Sequence, residues 1–301
     1  MNSNIKPNLF IVGAPGCGTT TLYHYLRQHP NIFMSGYKEP HYFGKDLRKN
    51  KKLYFTNKGK YLDLFTKGLG KQAIGEASSY YLFSSSAPKE IFQFNPRAKI
   101  IILLRQPTEL LYSYHSQLLY LGDECEKDFY KALNLENSRK KGKHLPDNYT
   151  IIERLFYRTL IYKLPDQINL YKRIFSQDKV SIHLLDDLSD DIDKTFRNIL
   201  MFIGVDPTFR PEYSLMNTNK TFRSKVIRDS IFYLSPILGN LRNNISSKSW
   251  GIMKFIEKVN TRYLHRDLIN PLIKKELDAE FKPTIIKLEE IINRDLSHWY
   301  H

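Results

Sequence analysis

The 301-residue sequence predicts an α/β domain in which a parallel sheet is flanked by helices, with a helical carboxy-terminal region from about Ser224 onward. Three observations carry that prediction. Short apolar, β-branched runs of strand length recur along the chain, and helical periodicity fills the gaps between them. The first run also passes straight into a turn holding three glycines, Gly13, Gly16 and Gly18. No internal repeat and no shift of composition divides the chain, so residues 1–301 read as a single domain. With 42% hydrophobic and 13% aromatic residues the chain can bury a large core, which excludes disorder as its main state.

Taken in order, Leu9 to Val12 is the first strand and Thr19 to Arg27 the first helix, with Leu22 and Leu26 four apart. Gln72 to Gly75 and Lys99 to Leu104 are the next two strands. Thr108 to Leu119 is then a helix with Leu111, His115 and Leu118 on one face, and Tyr157 to Phe175 is a long amphipathic helix. Lys179 to Leu185 is the last strand. Ligands of parallel sheets sit at the carboxyl ends of the strands, so the residues just after these runs are the candidates for chemistry.

Charge points to the kind of partner. Lys and Arg number 46 against 31 Asp and Glu, a formal net charge of +15, which favours an anion: a nucleotide, an acidic glycan, a nucleic acid or a lipid surface. The basic runs Arg48 to Lys52 and Arg139 to Lys143 read as exposed, solvated loops. Neither is interleaved with aromatic residues, which argues against a nucleic-acid patch. The two cysteines, Cys17 and Cys125, support neither a disulfide framework nor a metal site, and a cytoplasmic setting is the expectation. The amino-terminal apolar run is four residues long, and the stretch from Ile231 to Leu241 is broken by Pro236 and Gly239. Neither is a membrane span; the second reads as a packed or interfacial helix, which leaves peripheral membrane contact open.

The segment Gly13-Ala14-Pro15-Gly16-Cys17-Gly18-Thr19-Thr20-Thr21, between the first strand and the first helix, is the strongest local signal. Glycines let backbone N–H groups converge on an oxyanion, and the helix start adds free donors and a positive dipole end. The spacing is P-loop-like, but Thr19 stands where a Walker lysine would, which counts against an NTPase or nucleotide kinase. Val180 to Asp187, an apolar run ending in acids, is a weak imitation of a Walker B strand. Cys17 reads as a small buried thiol.

Together with segments further along the chain, the loop resembles the 5′-phosphosulfate loop of sulfotransferases that use 3′-phosphoadenosine 5′-phosphosulfate (PAPS). Two such segments resemble the carbohydrate and bacterial branch of that family, Lys38-Glu39-Pro40-His41-Tyr42-Phe43 and Gly75-Glu76-Ala77-Ser78-Ser79-Tyr80-Tyr81-Leu82; Arg105-Gln106-Pro107 through Ser113 resembles the family's 3′-phosphate motif, and Phe202-Ile203-Gly204-Val205 with Lys220 to Arg223 and Arg294 to Trp299 also fit. The resemblance implies a PAPS-dependent enzyme, with no metal, that moves the sulfuryl group to a hydroxyl of a carbohydrate or small metabolite.

It also implies roles. Gly16, Cys17, Gly18, Thr19, Thr20 and Thr21 would bind the phosphosulfate, Arg105 and Ser113 the 3′-phosphate, and Lys220 and Arg223 a cationic flap with Phe222 against the base. For Arg105 the alternative is a structural ion pair. Glu39 would be the general base, with His41 orienting it from the same side of an extended segment. One departure matters: the family's loop carries a lysine where this chain has Gly16. Losing a charge placed on the developing oxyanion costs about 10²–10³ in rate. Two alternatives therefore stay open beside the kinase reading, an impaired homologue that binds PAPS without turnover, and rescue by a nearby cation such as Lys38.

Overall fold

The computed structural model describes residues 5–47, 55–147, 149, 151–213, 219–222, 261–264 and 267–300. Five strands form a parallel sheet in the order β2-β3-β1-β4-β5: β1 Leu9–Gly13, β2 Ile32–Met34, β3 Ala73–Ala77, β4 Lys99–Leu104 and β5 Val180–Leu184. Every residue of β1 is buried, and β4 is buried from Ile100 on, as expected of inner strands covered on both faces. The chain leaves β1 towards β2 on one side of the sheet, then crosses from β3 to β4 on the other. That places the loop after β1 at the point where the winding changes direction, where such sheets bind ligands.

Helix α1 (Thr19–Leu26) comes directly after the glycine loop, α2 (Lys58–Asp63) precedes β3, and α3 (Ala87–Phe94) joins β3 to β4. After β4 come α4 (Pro107–Leu121), α5 (Phe129–Asn134), α6 (Glu136–Lys140) and α7 (Tyr157–Ile174); after β5 come α8 (Leu185–Asp190) and α9 (Ile192–Ile203). Pro107 occupies the first turn of α4, where its missing N–H costs nothing, and Gly122 ends the helix in the left-handed conformation. The four predicted strands and three predicted helices are all present, within two residues at their ends. The fifth strand, β2, is only three residues long, too short for a periodic signal.

The helical carboxy-terminal region is carried by a 22-residue helix, α10 (Pro271–Ile292); ahead of it Thr261–Leu264 is a strand, β7, paired antiparallel with β6 (Asn219–Phe222). The apolar stretch from Ile231 to Leu241 and the basic run Arg48 to Lys52 lie outside the described residues. The second basic run is not simply a solvated loop. Arg139 is fully buried in α6, and its two terminal nitrogens each donate to Glu124 at 2.8 Å. A charge can be buried this way because its partner and its hydrogen bonds go with it. Lys141 and Lys143 are exposed as expected.

The segment after α10 returns to the sheet. Gln106 Nε2 donates to Trp299 O at 2.8 Å and to Asp278 Oδ1 at 3.2 Å, and Thr108 Oγ1 donates to Asp278 Oδ1 at 2.6 Å. Trp299 Nε1 donates to Asp186 Oδ2 at 2.7 Å, and Arg294 pairs with Asp187 through both terminal nitrogens. The chain between β4 and α4 is thereby tied to α8 and α10.

Candidate active site

The glycine loop has the shape of an anion cradle. Gly13 has φ +154°, and a Cβ there would lie 2.6 Å from Leu82 Cβ and 2.7 Å from Ser79 O, so no side chain fits. Gly16 and Gly18 are left-handed, at +78° and +82°. Gly18 is the N-cap of α1 and no side chain caps the helix, so the first-turn N–H groups of Thr19, Thr20 and Thr21 point outward. Thr21 Oγ1 is buried with no hydrogen-bond partner among the described residues. An orphaned hydroxyl beside uncapped helix N–H groups is a donor set that suits phosphate oxygens. Cys17 is buried, and that burial pushes its thiol up to about 12 against the opposing charge of Arg105, so it packs rather than reacts.

Arg105 and Ser113 converge on this loop from α4 and the turn before it. Arg105 Nη1 donates to Gly16 O at 3.4 Å, and a Cβ on Gly16 would sit 3.4 Å from Ser113 Cβ and Oγ. Arg105 Nη2 also pairs with Glu109 at 3.2 Å, the structural ion pair that is the alternative role for this residue. Lys220 lies in β6, whose backbone runs beside α4. Arg223 lies outside the described residues.

Glu39 and His41 meet, but not by the expected route. Both are left-handed, with φ +60° and +48°, so the segment is not extended and the two-residue alternation of a strand does not apply. Hydrogen bonds hold this conformation. Glu39 N–H donates to Ala77 O at 2.9 Å, and its carboxylate accepts from Ser79 N–H at 2.9 Å and from Ser79 Oγ at 3.0 Å. Lys38 Nζ lies 2.6 Å from Glu39 Oε1, and His41 Nε2 lies 3.3 Å from Glu39 Oε2. Ser79 is thus shared: its carbonyl abuts Gly13 while its N–H and hydroxyl hold Glu39, which seats the carboxylate beside the loop.

Burial alone raises the pKa of Glu39, but the charge of Lys38, the His41 ring and the Ser79 hydrogen bonds outweigh it and bring the carboxyl down to about 2. Burial lowers His41 to about 4, helped by Arg154 and Lys38 and opposed by Glu39. At neutral pH the pair is therefore an ionised carboxylate and a neutral imidazole, whose Nε2–H faces Glu39.

Two groups near this pair have no signal in the sequence. Ser79 stands in one of the family-like segments, yet nothing in its residue type announces a link to Glu39. Arg154 lies 4.1 Å from the centre of the Tyr80 ring, pairs with Asp123 at 2.7 Å, and Tyr80 in turn packs edge-on against His41. Arg154 is more than 100 residues from Glu39 in sequence, and no spacing rule joins them. The acids of the Walker B imitation, Asp186 and Asp187, are occupied by Trp299 and Arg294. Among the described residues no group of three or more His, Cys, Asp or Glu is disposed to hold a metal ion, and no helix is long and apolar enough to cross a membrane.

Residues 6–231, which hold the strand, the glycine loop and the carboxylate pinned next to it, match the sulfotransferase domain family. The chain belongs to that family. Carbohydrate sulfotransferase 15 of Rattus norvegicus is 27% identical over 264 residues, covering 70% of this chain and 46% of that protein; the human protein of the same name is also 27% identical over 264 residues. The chain thus spans about half the length of these curated relatives. The crystal structure of a sulfotransferase from Alicyclobacillus acidocaldarius superposes with a TM-score of 0.74 at 26% identity, covering 99% of this chain and 100% of the other.

Proposed function

We propose that this chain transfers the sulfuryl group of PAPS to a hydroxyl of a carbohydrate or small metabolite, with Glu39 as general base and residues 1–301 acting as one domain. The observation that carries the reading is the position of Ser79, which packs its carbonyl on Gly13 and donates twice to Glu39. A proton acceptor thereby stands beside an anion cradle. PAPS supplies the activated sulfuryl group when bound. Gly16, Cys17, Gly18, Thr19, Thr20 and Thr21 would hold its 5′ end through backbone N–H groups and hydroxyls, and Arg105, Ser113, Lys220 and Arg223 its 3′-phosphate.

Glu39 is ionised at neutral pH and takes the acceptor's proton as the hydroxyl attacks. His41 steadies the carboxylate through Nε2–H and leaves it charged, because the ring itself stays neutral. The pairing with Lys38 keeps Glu39 a weak base. Gly16 supports a second reading, retention of the nucleotide without turnover, because it brings no cation to the loop.

Calorimetry separates these readings from a kinase. Adenosine 3′,5′-bisphosphate should bind in EDTA, and ATP with magnesium should not compete with it; binding of magnesium-ATP with no response to the bisphosphate would sink the proposal. A screen of hydroxyl acceptors with labelled PAPS then divides enzyme from binding protein, and Glu39→Gln should abolish transfer while bisphosphate affinity is kept.

A further inference from the structure

Glu76 is fully buried near the carboxyl end of β3, and among the described residues no Lys or Arg pairs with it. Three hydroxyls point at its carboxylate instead. Tyr61 OH donates to Oε1 at 2.6 Å, Ser78 Oγ to Oε2 at 2.8 Å, and Tyr81 OH reaches Oε1 and Oε2 at 3.2 and 3.4 Å. Two of these hydroxyls also accept from the segment that carries the proposed base. His41 N–H donates to Ser78 Oγ at 3.2 Å, and Phe43 N–H donates to Tyr81 OH at 3.1 Å.

The chemistry of a hydroxyl makes this a relay of orientation. Burial raises the Glu76 carboxyl to about 7, and above that pH it is an acceptor-only carboxylate; serine and tyrosine each own one proton, and a carboxylate that takes it leaves only lone pairs to face the amides. Residues 39 and 41 are left-handed without being glycine, a conformation that costs of order 1 kcal/mol each and persists only where the surroundings impose it. The Ser78 and Tyr81 clamps on the amides of residues 41 and 43 are part of those surroundings. We infer that Glu76 is a positioning residue for the Glu39–His41 pair, acting through the hydroxyls of Ser78 and Tyr81. The inference rests on reading Glu39 as the base. A merely structural acid in the core would make the same bonds to Tyr61 but would not control where His41 sits.

The test uses the full chain, labelled with ¹⁵N-histidine, in wild type, Ser78→Ala, Ser78→Thr and Glu76→Gln, with the His41 signals assigned through His41→Gln. In wild type the ring should remain Nε2-protonated and neutral down to about pH 4. In Ser78→Ala and Glu76→Gln the released ring should titrate nearer its ordinary 6.5, as burial, Arg154, Lys38 and Glu39 no longer bear on it as before. Ser78→Thr, which keeps the hydroxyl, should restore the wild-type titration. Turnover should fall about 10–100-fold in Ser78→Ala and Glu76→Gln while the dissociation constant of adenosine 3′,5′-bisphosphate stays within about twofold. The double variant Glu76→Gln/Ser78→Ala should be no worse than either single one, because both act on one path. An unchanged His41 titration in folded Ser78→Ala, or additive losses in the double variant, would overturn the inference. Should Glu76→Gln fail to fold, Ser78→Ala carries the test alone. A wild type that transfers no sulfuryl group while His41 responds as described would refute the proposed function and leave the positioning role standing.

Discussion

Gly16→Lys puts back the cation that the loop of this family ordinarily carries, and the structure sets what it should do. A Cβ at residue 16 would meet Leu110 O, Ser113 Cβ and Ser113 Oγ at 3.4 Å each, which is contact without collision. The obstacle is the backbone: φ is +78°, and an L side chain there costs about 1–2 kcal/mol. Lower entropy of the unfolded chain returns about 0.4–1 kcal/mol, so the net loss is about 1 kcal/mol. On a domain of this size that lowers Tm by about 2–4 °C. Gly16→Ala carries the same strain without the charge, so the difference between the two variants isolates the ammonium. Charge on the bridging oxygen grows along the reaction coordinate, and turnover should gain up to about 10²–10³-fold in Gly16→Lys over Gly16→Ala, with a much smaller gain in affinity. The assay is initial-rate transfer from labelled PAPS on the best acceptor found, beside calorimetry with adenosine 3′,5′-bisphosphate. Equal turnover of the two variants, with normal binding, would refute the reasoning and mean either that another cation, Lys38 being the nearest candidate by sequence, fills the role, or that Glu39 is not poised to act as base.

The geometry makes three further outcomes testable. Arg105→Ala should weaken adenosine 3′,5′-bisphosphate by about 1.5–3 kcal/mol in calorimetry through loss of a charge-assisted bond, and an unchanged dissociation constant would leave only its pairing with Glu109. The folded carboxyl of Glu39 is depressed from 4.5 to about 2, so its stabilising effect is complete above pH 4.5 and is lost as pH falls towards 2. The urea stability of wild type should therefore exceed that of Glu39→Gln by up to about 3 kcal/mol at pH 7, and the gap should narrow through that acid window. Arg139→Met strands the buried Glu124 and should cost about 3–5 kcal/mol in urea unfolding, whereas Lys141→Met, on an exposed side chain, should change little.

Most of the sheet is legible in the sequence because its inner strands are apolar throughout. Leu9 to Val12 and Lys99 to Leu104 have no competing signal. β3 reads as ending at Gly75 because Glu76 is a carboxylate in a strand that is otherwise buried, a pattern that propensity rejects and three hydroxyl donors make stable. The same acid in an apolar run is the available clue to the network beneath Glu39. The loop and its neighbours, Arg105 and Ser113, can be placed from strand ends and helical spacing. The Glu39–His41 geometry cannot. A residue that precedes proline is expected to be extended, and tertiary bonds to Ala77 and Ser79 override that preference. Arg139 is hidden for a related reason: a run of basic residues looks solvated until one of them finds Glu124, 15 positions away.

The ties from Gln106 and Thr108 to Asp278 and Trp299 have a consequence for the timing of synthesis. Gln106 and Trp299 are separated by 193 positions, so at about 5–20 residues per second the ribosome adds the second about 10–40 s after the first. Until Asp278 and Trp299 are made, the side chain of Gln106, next to the residue that reaches Gly16, lacks both of these partners, although β1, β3 and β4 can already pair. The nascent chain should thus acquire its sheet well before the turn that carries Arg105 is set. A ribosome-bound intermediate halted before Asp278 would have a formed β1–β4 core and an unset Arg105 turn.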